Sequence, residues 1–465
     1  MDSKTDACIR QPETRSPAGY PHFRRNFALG LTNGILMQFA DSFVDPQTVL
    51  PVFVFTLTSS YVLAGLVSGL FEGGWFLPQV FISSVLQHRA RKLPLYHAMV
   101  YVRVASWAGA ALSILLVGSR NPGLLFALFF VCYLGVCLGA GIAGVPFMDV
   151  VGKSIPVGRR GSFFAYRRLV GGLLGVGAGV VVARVLSPES GLAFPYPYGI
   201  LMCFTTVLAL FGLGSFSFVK EPIEPVSPVP VSFREHLRTC RSILREDANY
   251  RRYYLQWTLS SFALMGLPFF ATYAVTELHA APAQVGVMVS LWMFSNTLSN
   301  LLWGTLSDRR GSRILIVISA ALSGIAPVIA LGSVLVPARP VAFPAPLAFL
   351  VPESLRTVDL RLLVFLSCFV LNGFAVAARK VSSNSYLLDL APARQRATYI
   401  GLMNTISSPL SLAPALGGVI TAATSYRVIF VLSLVFAVLS LRVSLGLAEA
   451  RPSPSGERQA PCRPA

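Results

Sequence analysis

The stretch WGTLSDRRGSR, Trp303 to Arg313, gathers one aspartate, three arginines and two glycines into eleven residues between two long apolar runs. The flanking runs, 284–305 and 314–336, each reach the roughly 20 residues that a helix needs to cross a hydrocarbon core. A polar turn this short between two such spans has to sit at a membrane surface. The rest of the chain follows from that.

The 465 residues are 54% hydrophobic and only 12% charged, against about 25% charged in soluble domains, and mean hydropathy is +0.64. The chain therefore reads as all-α and polytopic, with twelve spans at 27–46, 60–84, 94–117, 123–147, 166–186, 197–218, 254–274, 284–305, 314–336, 362–387, 401–423 and 428–446. The polar, basic first 25 residues show no cleavable signal peptide, so the first span is the insertion signal. Seven cysteines without CxxC spacing predict neither disulfides nor a metal site. The net charge of +18 would suggest nucleic acid in a soluble protein, but its distribution points elsewhere. Thirty of the 38 Lys/Arg fall on one set of alternate loops, six on the other, and Arg103 and Arg442 fall within helices. That asymmetry places both termini in the cytoplasm and predicts a multi-pass protein of the plasma (inner) membrane.

The chain repeats itself. Gly65 to Lys92 aligns without gaps onto Gly286 to Arg313, placing QHRARK over DRRGSR. Pro156 and Arg160 echo Pro392 and Arg396, with Asp149 and Asp389 ahead of them, and LPVFVFT at Leu50 echoes LPFFATY at Leu267. Two pseudo-symmetric six-helix bundles, 26–218 and 253–447, are expected, with cytoplasmic tails at 1–25 and 448–465. The linker 219–252 holds a Pro-rich part and then FREHLRTCRSILRED, which fits either an amphipathic helix on the membrane surface or a solvated one.

Gly304, Leu306, Asp308, Arg309, Gly311 and Arg313 form the pattern G(x)LxDRxG(x)R. In this the loop resembles the signature loop of the major facilitator superfamily of transporters. The resemblance implies a twelve-helix fold in which the bundles rock about a midplane cavity. Asp308 at a helix end can accept backbone NH groups, while Arg309 and Arg313 meet carboxylates or phosphates, so these contacts would hold one conformation closed. Asp389 with Arg396, and Asp149 with Arg160, resemble the same clamp elsewhere; ordinary membrane anchoring is the alternative for all of them. The first copy departs from the pattern, with Gln87 for the aspartate and Ala90 for the glycine.

Charges inside a membrane mark function or a buried partner. Glu72 and Arg103 come to similar depths on adjacent helices, predicting an ion pair or, alternatively, a proton carrier at Glu72. Asp41 and Asp45 share a face near the outer end of the first helix, with Gln38 and Asn33 one and two turns below Asp41, making Asp41 a substrate or proton candidate. Arg379 and Lys380 either anchor a helix that stops at Ala378 or, if the tenth helix continues as its repeat partner suggests, lie deep enough to bind an anion. Asn372, Ser382, Ser383 and Asn384 beside them, and Asn296 and Asn300 in the eighth helix, add neutral polar groups. GGLLGVGAG (Gly171 to Gly179) and APALGG (Ala413 to Gly418) permit close helix contact.

No HExxH or HxxxxD motif and no second aspartate cluster supports a membrane enzyme, and the repeat suits alternating access better than a fixed pore. The expected function is secondary, proton-coupled transport of a small solute, without cofactor or metal. Membrane lipids, the solute and protons are the expected partners, and the chain is expected to be a monomer without nucleic acid. A transporter-like sensor is the alternative. A deep Arg379 and Lys380 would favour an anionic solute; superficial ones would leave a cationic or amphiphilic compound bound near Asp41 and Glu72.

Overall fold

Helices dominate because a backbone surrounded by lipid must satisfy its own hydrogen bonds. The computed structural model describes residues 22–86, 89–223, 242–345, 357–391 and 396–449. The first half holds α1 (Phe23–Phe43), α2 (Val49–Thr58), α3 (Tyr61–Leu86), α4 (Leu93–Val117), α5 (Pro122–Ser154), α6 (Val157–Val185) and α7 (Tyr196–Ser217). The second holds α8 (Ala248–Ala263), α9 (Phe269–Thr276), α10 (Gln284–Arg310), α11 (Arg313–Gly332), α12 (Leu360–Leu390), α13 (Arg396–Leu410), α14 (Ala413–Ala423) and α15 (Tyr426–Leu445). A two-strand hairpin, Pro340–Ala342 with Thr357–Asp359, lies between α11 and α12.

Three rods are broken, α1/α2, α8/α9 and α13/α14, with Pro46, Pro268 and Pro414 at the interruptions, where each removes a backbone donor. Joined across the breaks, the helices make twelve rods. Among the described residues ten segments are long and apolar enough to cross a membrane; the α1/α2 rod and α3 complete the twelve. Polar Asn26, Asn33, Gln38 and Asp41 lower the apolar character of α1, which is why length and hydropathy alone pass it over.

Several expected boundaries move. The first rod does not end at residue 46: its outer piece is α2, so Asp41 and Asp45 lie near the middle of the rod. The LPVFVFT and LPFFATY echo marks the matching outer pieces, α2 and the start of α9, which touch each other. The fifth span begins at Val157, which draws Arg167 and Arg168 well inside a helix. Helix α12 runs unbroken to Leu390, so Arg379 and Lys380 are internal as well. The proposed surface helix from Phe233 falls mostly outside the described residues, of which 242–246 are helical.

In the first half α1 packs on α6 and α7, α5 on α3 and α4, and α4 on α7; in the second, α12 packs on α10 and α11, and α15 on α8 and α11. The halves meet through α6 with α10 and through α3 with α13 and α14. Both seams are antiparallel and lie on the side away from the 311–312 turn. Along one, a Cβ on Gly286 would stand 2.2 Å from Ala183 N, and a Cβ on Gly179 2.1 Å from Ser290 Oγ. Along the other, a Cβ on Gly65 would stand 2.1 Å from Pro414 O. Gly65 and Gly286 are equivalents in the sequence repeat, and each sits where its half touches the other. Tyr61 and Tyr426 pack edge to face across the same side, with ring centroids 5.3 Å apart. Toward the 311–312 side the halves part, and a Cβ on Gly161 or Gly304 would meet nothing within 4 Å. The molecule is closed on one side and open on the side of the signature loop.

Candidate functional site

The break after α1 is built by Asp45, which is buried. Its Oδ1 accepts from Gln47 N at 3.0 Å and Thr48 Oγ1 at 2.9 Å, and its carbonyl accepts from Leu50 N. This local turn holds the start of α2, so Asp45 shapes the rod. Asp41, four residues earlier, is half-buried and lies in the field of Arg103.

That pairing corrects an expectation. Among the described residues no ion pair joins Glu72 to Arg103; the charge of Arg103 acts on Asp41 within the first half, its aliphatic stem lies on Gly139, and its buried Nε meets no acceptor among the described residues. Glu72 is exposed. It lies seven residues past Gly65 and three past Gly69, hence on the face of α3 that packs against α13 and α14. It lies next to Gly73, where a Cβ would still stand 2.8 Å from Ser411 Oγ of the other half, and its charge reaches Arg379 of that half.

Arg379 is about 11 residues, roughly 16 Å, from the loop-side end of α12. Its guanidinium lies 4.0 Å from the centroid of the Trp257 ring and its Nη2 donates to Ser261 Oγ at 2.7 Å, while its buried Nε meets no acceptor among the described residues. Trp257 and Ser261, one helical turn apart on α8, form a platform with a hydroxyl beside it. A small, partly open recess here is lined by Tyr253, Gln256, Trp257, Ile316, Ser319, Arg379, Ser382 and Ser383. Lys380 is exposed, and its field reaches Asp45 across the opening. On the Arg379 face two turns away, Asn372 is buried with Nδ2 unpartnered among the described residues. Asn296 ties α10 to α12 through Gly373 O at 3.3 Å, a packing bond.

A second deep arginine was not singled out from the sequence. Arg167, ten residues into α6, lies against Gly34 of α1 and donates through Nη2 to Asn33 Oδ1 at 3.1 Å. Its guanidinium lies 4.7 Å from the Phe147 ring centroid and 5.0 Å from that of Phe163. Asn33 in turn donates to Gly212 O at 2.9 Å and Tyr96 Oη at 3.2 Å. The span estimate began at 166 and so left Arg167 at the membrane edge; the available signal was the run FFAYRR, Phe163 to Arg168, whose aromatic pair extends the helix toward its start.

At the loop side, the expected clamp between Asp149 and Arg160 is replaced by two separate arrangements. Asp149 Oδ1 accepts from Lys92 Nζ at 2.6 Å, and its Oδ2 forms an ion pair with Lys153 Nζ at 2.6 Å. Arg160 instead caps the end of α5 through Gly152 O and Ile155 O, because α6 starts within five residues of that end. The backbone amides of Lys92 and Leu93 bind the Glu221 carboxylate, so the degenerate first loop is held by an acid from beyond α7. In the second copy, Gly311 ends α10 at φ 82°, a conformation that favours glycine. Arg313 Nη2 donates to Leu445 O at 2.7 Å, and Arg309 is exposed. Asp308 is in the last turn of α10 and Arg396 opens α13, but both side chains lie outside the described residues; Asp389 is half-buried near the end of α12.

The model of the Major Facilitator Superfamily matches residues 254–464. The structure adds the first half. A nucleoside transporter, NupG in mutant form, superposes with TM-score 0.65 at 14% identity, covering 91% of this chain and 99% of that one. The second half of the chain thus matches the major facilitator superfamily in sequence, and the whole chain shares the fold. A D-xylose-proton symporter is similar with TM-score 0.62 at 13% identity, over 92% and 99% of the two chains. A POT family transporter in complex with 5-aminolevulinic acid gives TM-score 0.65 at 9% identity, over 90% and 95%. No curated protein matches in sequence. These likenesses establish a major facilitator fold with multiple membrane-spanning helices.

Proposed function

We propose that this major facilitator chain is a proton-coupled secondary transporter of a small solute, working by alternating access. The observation that carries the reading is the arrangement of the seams: both are zipped on one side and parted on the other, and charged groups of both halves, Glu72, Arg379 and Lys380, are gathered where they part. With the signature-loop side in the cytoplasm, as the Lys/Arg asymmetry favours, the state described is inward-facing. The Gly161 and Gly304 surfaces, free of contact here, are then the faces that close in the opposite state. Glu72, on the parting face, is the candidate proton carrier.

The test is uptake into proteoliposomes under an imposed proton gradient, without nucleotide; transport that requires ATP hydrolysis by the chain overturns the reading. Asp308→Asn is expected to slow exchange between the two states severalfold while leaving the yield of folded protein unchanged. Spin-label distances across the loop side read this directly, and unchanged exchange kinetics remove Asp308 from the mechanism.

A further inference from the structure

Arg379 is held by a neutral hydroxyl and an aromatic face, and among the described residues no carboxylate lies within ion-pair distance of it. A guanidinium about 16 Å into the helix with its Nε buried and unpartnered is costly and is poised to accept an anion. The recess beside it has an aromatic wall of Trp257 and Tyr253, and Ser382 and Ser383 line it with hydroxyls that donate to Arg379 O and Lys380 O. Lys380, the next residue, adds a second positive charge at the opening. Asp45 is already satisfied by its own turn and Asp41 lies in the field of Arg103. Among the described residues Glu72, from the other half, is the acid whose charge acts on Arg379.

We propose that the recess around Arg379 binds an organic carboxylate as cargo, and that Glu72 is the protein's own carboxylate competing for the same guanidinium. The word cargo rests on the transport reading above; the site itself does not. A carboxylate is favoured over a dianionic phosphate because one guanidinium lines the recess and exposed Lys380 does not, so a single negative charge balances it. Planar oxygen pairs also match the guanidinium edge. Emptying the recess leaves Glu72 and Arg379 mutually attracting across the opening, whereas filling it removes that attraction, so the bound anion acts on the same helices that part between states.

The test needs no knowledge of the cargo. In a cysteine-free chain carrying Ser383→Cys, reaction rates with an anionic and a cationic methanethiosulfonate of similar size, each normalised to a free thiol, report the local potential. The anionic reagent is expected to be about tenfold favoured, a preference that Arg379→Gln abolishes, Arg379→Lys retains and Glu72→Gln raises a further two- to threefold. Lys380→Gln is expected to remove only a minor part. Benzoate is expected to slow the anionic reagent, with methyl phosphate and choline inactive at the same concentration. A cationic preference, or a ratio that Arg379→Gln does not move, overturns the anion site; protection by methyl phosphate, or none by benzoate, overturns the carboxylate assignment. Because these rates are measured without transport, a chain that passes here and fails to transport loses only the cargo reading.

Discussion

Gly286→Val is expected to open the closed side and to reduce transport more than tenfold. The glycine faces backbone, with Ala183 N 2.2 Å and Gly179 O 2.3 Å from where its Cβ would stand. Neither atom can rotate away, so α6 and α10 have to separate by about 1 Å or more to restore ordinary contact. Overpacking of this kind costs about 1–3 kcal/mol, enough to move a two-state population by roughly one to two decades. Within each half the packing is untouched, so yield and monodispersity should hold. Spin labels at Ser119 and Glu277, both exposed on the closed side, should report a longer distance. Gly161→Val, where nothing lies within 4 Å, should leave that distance unchanged. An unaltered distance distribution in the Gly286 variant would show that this seam does not set the closed state.

Arg167→Ala is the second large effect, and it falls on stability. The side chain links α6 to α1 through Asn33, and its removal leaves the Asn33 carbonyl and the rings of Phe147 and Phe163 without their partner. Losing a buried charged hydrogen bond costs about 1.5–3 kcal/mol, and a desolvated cation–π contact adds about 1–2 kcal/mol. The temperature at which half of the detergent-solubilised protein leaves the monodisperse chromatographic peak should fall markedly. Arg167→Lys should recover only part, because an ammonium cannot stack on Phe147 and reach Asn33 with the same geometry. A thermal profile unchanged by Arg167→Ala would show that Arg167 does not hold the bundle together and make it a new candidate for solute binding.

Membrane character and the paired halves were legible because they are one-dimensional properties. Twenty apolar residues span a bilayer whatever their neighbours are, and an ungapped repeat from Gly65 to Lys92 onto Gly286 to Arg313 survives in the chain itself. The signature residues Gly304, Asp308, Gly311 and Arg313 were legible for the same reason. Helix ends were less so: polar and charged residues at the termini of α1 and α6 read as surface, which hid the depth of Arg167 and placed Asp41 near an outer end.

Partner choice was not legible at all. Depth alone suggested Glu72 with Arg103, and spacing suggested Asp149 with Arg160. Rotation of each helix about its axis decided otherwise, leaving Arg103 against Gly139, placing Glu72 on the face shared with the other half and turning Asp149 toward Lys92 and Lys153. The sequence by itself determined the spans, the signature loop and the two matched halves, since hydrophobic length and repeat are carried by the order of residues. Only the tertiary structure decided which charges meet, which side is closed and that Arg379 lies beside Trp257 and Ser261, because those depend on helix rotation and on how two rigid bundles lean together.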